Sequence, residues 1–341
     1  GKKVFVTGNT GFTGAWLSLM LQELGAIVVG FSTPTPFEPS IYVDGGLSDR
    51  IEQILGDVRD LKALEIALQE SGPDYIVHLA AQPIVLTGYK EPYETFQANA
   101  LGTLNLLEAH RRTRSKSRII VVTTDKVYKN DHSHHSFSEQ DPLGGFDPYG
   151  ASKVAAEMVV SGYRALDEFK DKIAVVRGGN ILGGGDWSPN RIVPDFVRAV
   201  TSGKVLKIRH PDAVRPWQHV LDLAGGYLHI LEMFESGHDS LAAQDWNIGP
   251  EASEEMPVRD VLGLMQKHWM PAIIEQETSN QEEALTLLIE SKKARTMLGW
   301  YPRLSTLETI EWTASWYRDY YDRNKSATEI TLDQIRTWLA R

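Results

Sequence analysis

Val4-Phe5-Val6-Thr7-Gly8-Asn9-Thr10-Gly11-Phe12-Thr13-Gly14 decides the fold. Val4 to Thr7 is apolar enough to be buried on both faces, as a strand of a parallel sheet is. Glycines at 8, 11 and 14 follow at once, and a helical pattern runs from Gly14 to Leu24, with Trp16, Leu17, Met20 and Leu21 on one face. Strand, glycine turn and helix in this order make a cradle for the pyrophosphate of a dinucleotide. Gly8 permits the tight turn, Gly11 lets the phosphates approach the backbone, and Gly14 lets the helix pack close to the sheet. The helix N-terminus then faces the anion. Gly8, Thr10, Gly11, Phe12 and Gly14 are therefore candidate cofactor contacts.

The same alternation continues outward. Strands are expected at Ile27–Phe31, Tyr75–Leu79, Arg118–Thr123 and Ile173–Arg177, and helices at Leu61–Leu68, Thr95–His110 and Tyr149–Leu166. Strands alternating with helices at this pace indicate βαβ units, and right-handed crossovers turn them into a doubly wound parallel α/β sheet of the Rossmann type. Beyond about Gly178 the rhythm changes to short elements. This places a dinucleotide-binding domain at residues 1–179, with a return to the sheet near 216–240. A smaller mixed α/β substrate-binding lobe then takes most of 180–341.

The chain has 341 residues, 42 % hydrophobic and 23 % charged, an ordinary globular balance. A net charge of −10 argues against general binding to nucleic acid or to a membrane surface. No apolar run of about 18 residues is present, so no membrane-spanning helix is expected. With no cysteine there is no disulfide framework, thiolate zinc site or cysteine nucleophile, and the chain reads as cytoplasmic. His132-Ser133-His134-His135 lacks partners at ligand spacing and reads as a polar loop over the active site, so no metal is expected.

About 20 residues past the glycines an Asp or Glu would hold the adenosine ribose of NAD, or a nearby Arg the 2′-phosphate of NADP. Gly30-Phe31-Ser32-Thr33-Pro34 has neither, so this position leaves the two cofactors open. Asp57 is placed to accept from an adenine amino group, or to serve a helix start, a role that fits Asp60 better.

Tyr149-Gly150-Ala151-Ser152-Lys153 sets a phenol and an ammonium four apart on one helix face. The cation favours the phenolate and lowers its pKa, which makes Tyr149 a usable acid/base. Thr123-Thr124-Asp125-Lys126 ends a parallel strand, where ligands bind in open α/β sheets. Asp125 must hold a proton to act as an acid and Lys126 must lose one to act as a base, so a tight ion pair between them is not expected.

His78-Leu79-Ala80-Ala81-Gln82-Pro83, Thr124-Asp125-Lys126-Val127-Tyr128, Asp141-Pro142-Leu143-Gly144-Gly145-Phe146-Asp147-Pro148-Tyr149, Gly179-Asn180-Ile181-Leu182-Gly183-Gly184-Gly185-Asp186-Trp187, Arg191-Ile192-Val193-Pro194-Asp195 and Arg215-Pro216-Trp217-Gln218-His219-Val220 carry a resemblance over nearly the whole chain. The sequence resembles the extended short-chain dehydrogenase/reductases, and within them the nucleotide-sugar 4,6-dehydratases. Lys126, where most of that group has Glu, favours the type acting on CDP-glucose. Asn9, Thr13, Leu86 and Gly88 depart from its usual pattern.

The resemblance implies a lyase that uses NAD to convert CDP-glucose to CDP-4-keto-6-deoxyglucose. Hydride leaves C4, water is lost across C5–C6, and hydride returns to C6. Tyr149, Lys153 and Thr124 would serve C4, Lys126 the C5 proton and Asp125 the leaving hydroxyl. Val58, Leu79, Ala80 and Ala81 would join the cofactor contacts, with Tyr149 and Lys153, and Asn180, Arg191 and Arg215 would hold the nucleotide sugar. Deoxysugar supply for surface polysaccharide and a homodimer built on helices 95–110 and 149–166 are also implied. The rival readings are a sugar-nucleotide 4-epimerase and a non-catalytic NAD(P)-binding protein.

Overall fold

The computed structural model describes residues 1–35, 37–130, 134–277 and 286–341. Its centre is a seven-stranded parallel sheet: β1 (Lys3–Thr7), β2 (Ile27–Ser32), β3 (Glu52–Leu55), β4 (Tyr75–His78), β5 (Arg118–Val122), β6 (Ile173–Gly178) and β7 (Asp245–Ile248). The spatial order is β7-β6-β5-β4-β1-β2-β3, so the strand order reverses between β1 and β4. The doubly wound sheet read from the sequence is borne out, and a ligand crevice belongs at that reversal, beyond the carboxyl ends of the strands.

Side chains alternate across the sheet because the strand period is two. Val4, Val6, Val28, Val77 and Ile120 face helices α1 (Phe12–Glu23) and α5 (Val220–Glu235). Phe5, Val29, Phe31, Ile76 and Ile119 face α2 (Leu61–Ser71), α3 (Gly102–Arg112) and α4 (Pro148–Arg164). Both cores are closed, which is why the strands read as continuous apolar runs rather than alternating ones.

Three elements differ from the sequence reading. Helix α1 starts at Phe12 instead of Gly14, because the extended Gly11 is its N-cap, and Gly14 lies in the first turn. The helix expected at 95–110 comes in three pieces: Pro92–Phe96, a π-turn over Gln97–Leu101, and α3. The strand that returns to the sheet is β7, while 216–240 supplies α5 and the short strand Trp217–His219, parallel to Asn180–Leu182. The rest of the second lobe includes helix Ile192–Ser202 and a parallel pair, Leu206–Ile208 with Ile274–Gln276. No helix among the described residues is long and apolar enough to cross a membrane.

Candidate active site

The glycine turn links β1 to α1 at the reversal point. Gly8 has a φ of +73°, and a Cβ there would stand 2.7 Å from the Ala80 amide nitrogen. A Cβ on Gly14 would stand 2.3 Å from the Gly8 carbonyl oxygen. Gly11 is different: only the Gly8 carbonyl oxygen, at 3.3 Å, lies near its Cβ position. The N-terminus of α1 has no side-chain cap and no acidic residue in its first turn, which leaves its amides to an anion. Thr10 donates to the Thr33 carbonyl at 3.1 Å, and Phe12 packs against Gly183 of the second lobe.

Beside the turn, Leu79 and Ala80 leave β4 with their amides donating to Thr7 Oγ1, both at 3.1 Å. With two donors already received, the Thr7 hydroxyl gives its proton to His78 Nδ1 at 2.8 Å. His78 Nε2–H then donates to Thr103 Oγ1 at 3.2 Å, which donates to the Asn99 carbonyl at 2.7 Å. Ala81 follows, half-buried. The side chain of Asn99, in the π-turn, accepts from the Gln82 amide at 2.8 Å and donates to Ser152 Oγ at 2.8 Å. Ser152 donates to the Tyr149 carbonyl at 2.7 Å. One buried polar chain thus runs from the glycine turn to the helix that carries Tyr149 and Lys153.

At the other edge of the turn, Asp57 is engaged by Arg59, whose Nη2 is 2.7 Å from Oδ2, and this holds the carboxyl below its ordinary range. Asp60 caps α2, its Oδ1 accepting from the amides of Lys62 and Ala63. Val58 is buried, its methyls against Gly102. Asn9 fills the space over Gly30 and accepts from Ser32 Oγ at 3.0 Å, so the floor beyond β2 is polar and uncharged.

A cleft of about 870 Å³ opens over the carboxyl ends of β5 and β6. Thr124, Asp125, Lys126, Tyr149, Asn180, Arg191 and Arg215 all line it. Leu86 joins them, and a Cβ on Gly88 would stand 3.3 Å from the Tyr149 amide nitrogen. Asp147 caps α4 by accepting from the Gly150 amide at 2.9 Å and so fixes Tyr149 in the first turn. A Cβ on Gly150 would stand 2.8 Å from the Lys126 carbonyl oxygen, so the turn and the helix touch directly.

Asp125 Oδ1 accepts from the Thr124 hydroxyl at 2.9 Å, and its Oδ2 is buried without a hydrogen-bond partner among the described residues. No tight pair with Lys126 forms. Burial raises the Asp125 pKa, against the opposing charge of Lys126. Tyr149 goes the opposite way from the sequence expectation: burial pushes its phenol up to about 12, although the Thr124 hydroxyl and Arg191 both pull it down. Lys153 is buried, donates to the Val122 carbonyl at 3.1 Å, and is lowered to about 8 by burial, while the Glu157 carboxylate holds it up. Arg191 also reaches Asp186 at 3.2 Å, and Arg215 donates to the Val214 carbonyl at 2.9 Å.

Sequence reading missed Asn99, which the regular spacing hid inside a helix, and Glu157, whose signal was a carboxylate four residues past Lys153. Of the histidine run, His132 and Ser133 lie outside the described residues, and His135 lies 3.0 Å from the Asp141 carboxylate.

The sequence profile of the NAD dependent epimerase/dehydratase family matches residues 4–249. A CDP-glucose 4,6-dehydratase of Salmonella typhimurium is 36 % identical over 333 residues, 93 % of this chain and 92 % of that protein. A UDP-glucose 4-epimerase of Halalkalibacterium halodurans is 26 % identical over 338 residues, 93 % of this chain and 96 % of that one. The solved structure of a dTDP-glucose 4,6-dehydratase of Bacillus anthracis in complex with NAD superposes with a TM-score of 0.80 at 22 % identity, covering 94 % of this chain and 98 % of its own.

Proposed function

Because the chain belongs to the NAD dependent epimerase/dehydratase family, we propose that it removes water from CDP-glucose to form CDP-4-keto-6-deoxyglucose. Asp125 carries this reading. It is a buried carboxyl with a raised pKa and an unpartnered oxygen, next to Lys126 and on the same cleft as Tyr149. Elimination needs an acid and a base side by side, whereas inversion at C4 alone does not. The 36 % identity to a CDP-glucose enzyme supports the nucleotide, as does Lys126.

NAD is the family's cofactor, and the glycine turn suits it. Gly11 is open, the α1 amides are uncapped, and Gly8 and Gly14 sit where a Cβ would collide with backbone. When bound, NAD supplies the redox chemistry at C4 and C6 that no side chain can. The protein's own residues handle the protons. Tyr149 takes the proton of the 4-hydroxyl, and the Thr124 hydroxyl bonds the same oxygen as charge develops. The Thr124 hydroxyl and Arg191 oppose the effect of burial on Tyr149, and Lys153 lies one turn on along the same helix. The 4-keto group acidifies C5–H, and Lys126 takes that proton and returns it to C5 once C6 has been reduced. Asp125 gives its proton to the 6-hydroxyl, which departs as water.

Arg191 and Arg215 supply guanidinium groups for the diphosphate, and Asn180 a donor for phosphate or sugar. Residues 1–179 with β7 form the cofactor half, and most of 180–341 the substrate half. Asp57 can reach an adenine amino group only by sharing its carboxylate with Arg59. A chain without cysteine suits a reducing compartment, and we place it in the cytoplasm.

The test is to incubate the purified protein, NAD and CDP-glucose without reductant and follow loss of one water by mass spectrometry. Turnover is expected. Turnover only with another nucleotide sugar would move the specificity to Leu86 and Gly88. No water loss from any nucleotide sugar, with NAD bound, would overturn the elimination.

Helices 92–112 and 148–164 pack together and leave Tyr93, Phe96, Leu101 and Met158 exposed. Burying such a patch is favourable by about 25 cal/mol per Å² of apolar surface, and we assign it to a homodimer. Light scattering is expected to give twice the chain mass, and Leu101→Glu with Met158→Glu the mass of one chain. A monomeric wild type would refute the assignment.

A further inference from the structure

We propose that the buried Arg177–Glu157 pair is a clamp on both ends of the Thr124–Lys126 turn, which makes Glu157 and Arg177 positioning residues for the acid and the base it carries. The amides of Lys126, Val127 and Tyr128 hold the turn only weakly. Lys126 N reaches Thr124 Oγ1 at 3.3 Å, Val127 N reaches the Thr124 carbonyl at 3.4 Å, and Tyr128 N reaches the Asp125 carbonyl at 3.4 Å. These are long for hydrogen bonds. The bonds at its two ends are short. Thr123 Oγ1 donates to Glu157 Oε1 at 2.7 Å. Five residues on, Tyr128 Oη accepts from Arg177 Nη1 at 2.9 Å and donates to Asn247 Oδ1 at 2.6 Å.

Glu157 and Arg177 are joined to each other, with Arg177 Nη2 2.5 Å from Oε2 and Nε 3.0 Å from Oε1. Their side chains are 4 % and 2 % exposed. Arg177 lies on β6, Glu157 on α4, and Asn247 on β7 directly opposite Arg177. The clamp therefore ties the turn to three elements behind the cleft. Burying such a pair costs several kcal/mol of desolvation, and apolar residues of similar volume are often as stable. The pair's distinctive effect is geometric: a bidentate guanidinium–carboxylate has one orientation, and both ends of the turn inherit it.

The test rests on the dehydratase reading for activity but not for structure. Thr123→Val and Tyr128→Phe each cut one tie and leave the ion pair in place, and Glu157→Gln removes its charge. Hydrogen exchange by mass spectrometry needs no substrate, and exchange at 124–127 is expected to quicken in all three variants while β5 and α4 stay protected. With CDP-glucose, kcat is expected to fall about 10- to 100-fold, as for misplaced groups, while KM stays within about two-fold. Unchanged exchange at the turn in Thr123→Val and Tyr128→Phe would overturn the clamp, whatever Glu157→Gln does to folding. Faster exchange with kcat unchanged would also overturn it, by making the pair a support of the fold alone. A wild type inactive on every nucleotide sugar would refute the dehydratase reading and leave the exchange result to decide the clamp.

Discussion

Asp125→Asn is expected to stop water loss while leaving C5–H exchange with solvent intact. The substitution keeps the shape of the side chain. Its amide oxygen still accepts from Thr124, as Asp125 Oδ1 does at 2.9 Å. What disappears is the acid oxygen that would carry the proton, Oδ2, buried and without a partner among the described residues. Burial raises the Asp125 pKa and so favours the protonated acid, whereas an amide has no acid proton to release. Removing a general acid costs about 10²- to 10⁴-fold in rate. Lys126 and Tyr149 are untouched, so the ketone at C4 still forms and the C5 proton still leaves and returns. Mass spectrometry in deuterated water would read both events: no dehydrated product, and deuterium in the recovered nucleotide sugar. Equal loss of both would reassign Asp125, and undiminished dehydration would remove it from the mechanism.

Acidification from pH 7 to pH 5 is expected to cost the fold several kcal/mol, chiefly through buried histidines. Three histidines are buried as neutral rings. Burial lowers His78 to about 3, His219 to about 3 and His110 to about 4. Geometry agrees for His78: its Nδ1 receives the Thr7 proton, and Thr7 has no lone pair left to accept one back. His219 Nδ1 likewise accepts, from the Leu221 amide.

A histidine whose folded pKa is depressed contributes stability that is complete above the unfolded value, about 6.5, and lost as pH falls toward the folded value. Each unit in that window is about 1.4 kcal/mol per histidine, so the three together lose about 6 kcal/mol between pH 7 and 5. Asp222, raised by burial to about 6, works the other way. It gains about 1 kcal/mol over the same range. The remainder is a large share of a typical stability of about 5–15 kcal/mol. Urea midpoints at the two pH values check this, and a flat midpoint would show that the rings accept protons without unfolding.

The parallel sheet, its glycine turn and the cleft-lining quartet 123–126 were legible because each is written in consecutive residues with a local physical meaning. The start of α1 was displaced by two residues because the extended Gly11, rather than a polar cap, begins it. The strand at 245–248 escaped notice: Asp245-Trp246-Asn247-Ile248 is too short and polar to read as an edge strand, and its partner Val175–Gly178 lies far back in the chain. The rise of the Tyr149 pKa was beyond sequence reading, since Lys153 is visible at i+4 and burial is not. The Arg177–Glu157 pair joins residues 20 apart through the tertiary fold, and only Glu157 left a trace in the helix spacing.

The π-turn at Gln97–Leu101 amounts to one extra residue wound into the rod that runs from Pro92 to Arg112. Each helical residue advances by about 100°, so the two halves of the rod are out of phase by roughly that angle. One phase leaves Tyr93 and Phe96 exposed, and the other presses Leu106 and Leu107 onto the sheet. A straight helix with a single apolar stripe would have to choose between these faces. Deleting one residue between 97 and 101 would bring the halves into register. It would rotate Pro92–Phe96 by a quarter turn relative to α3 and swing Asn99 off Ser152. One inserted residue therefore lets a single helix serve an outer face, an inner core and the helix that carries Tyr149 at once.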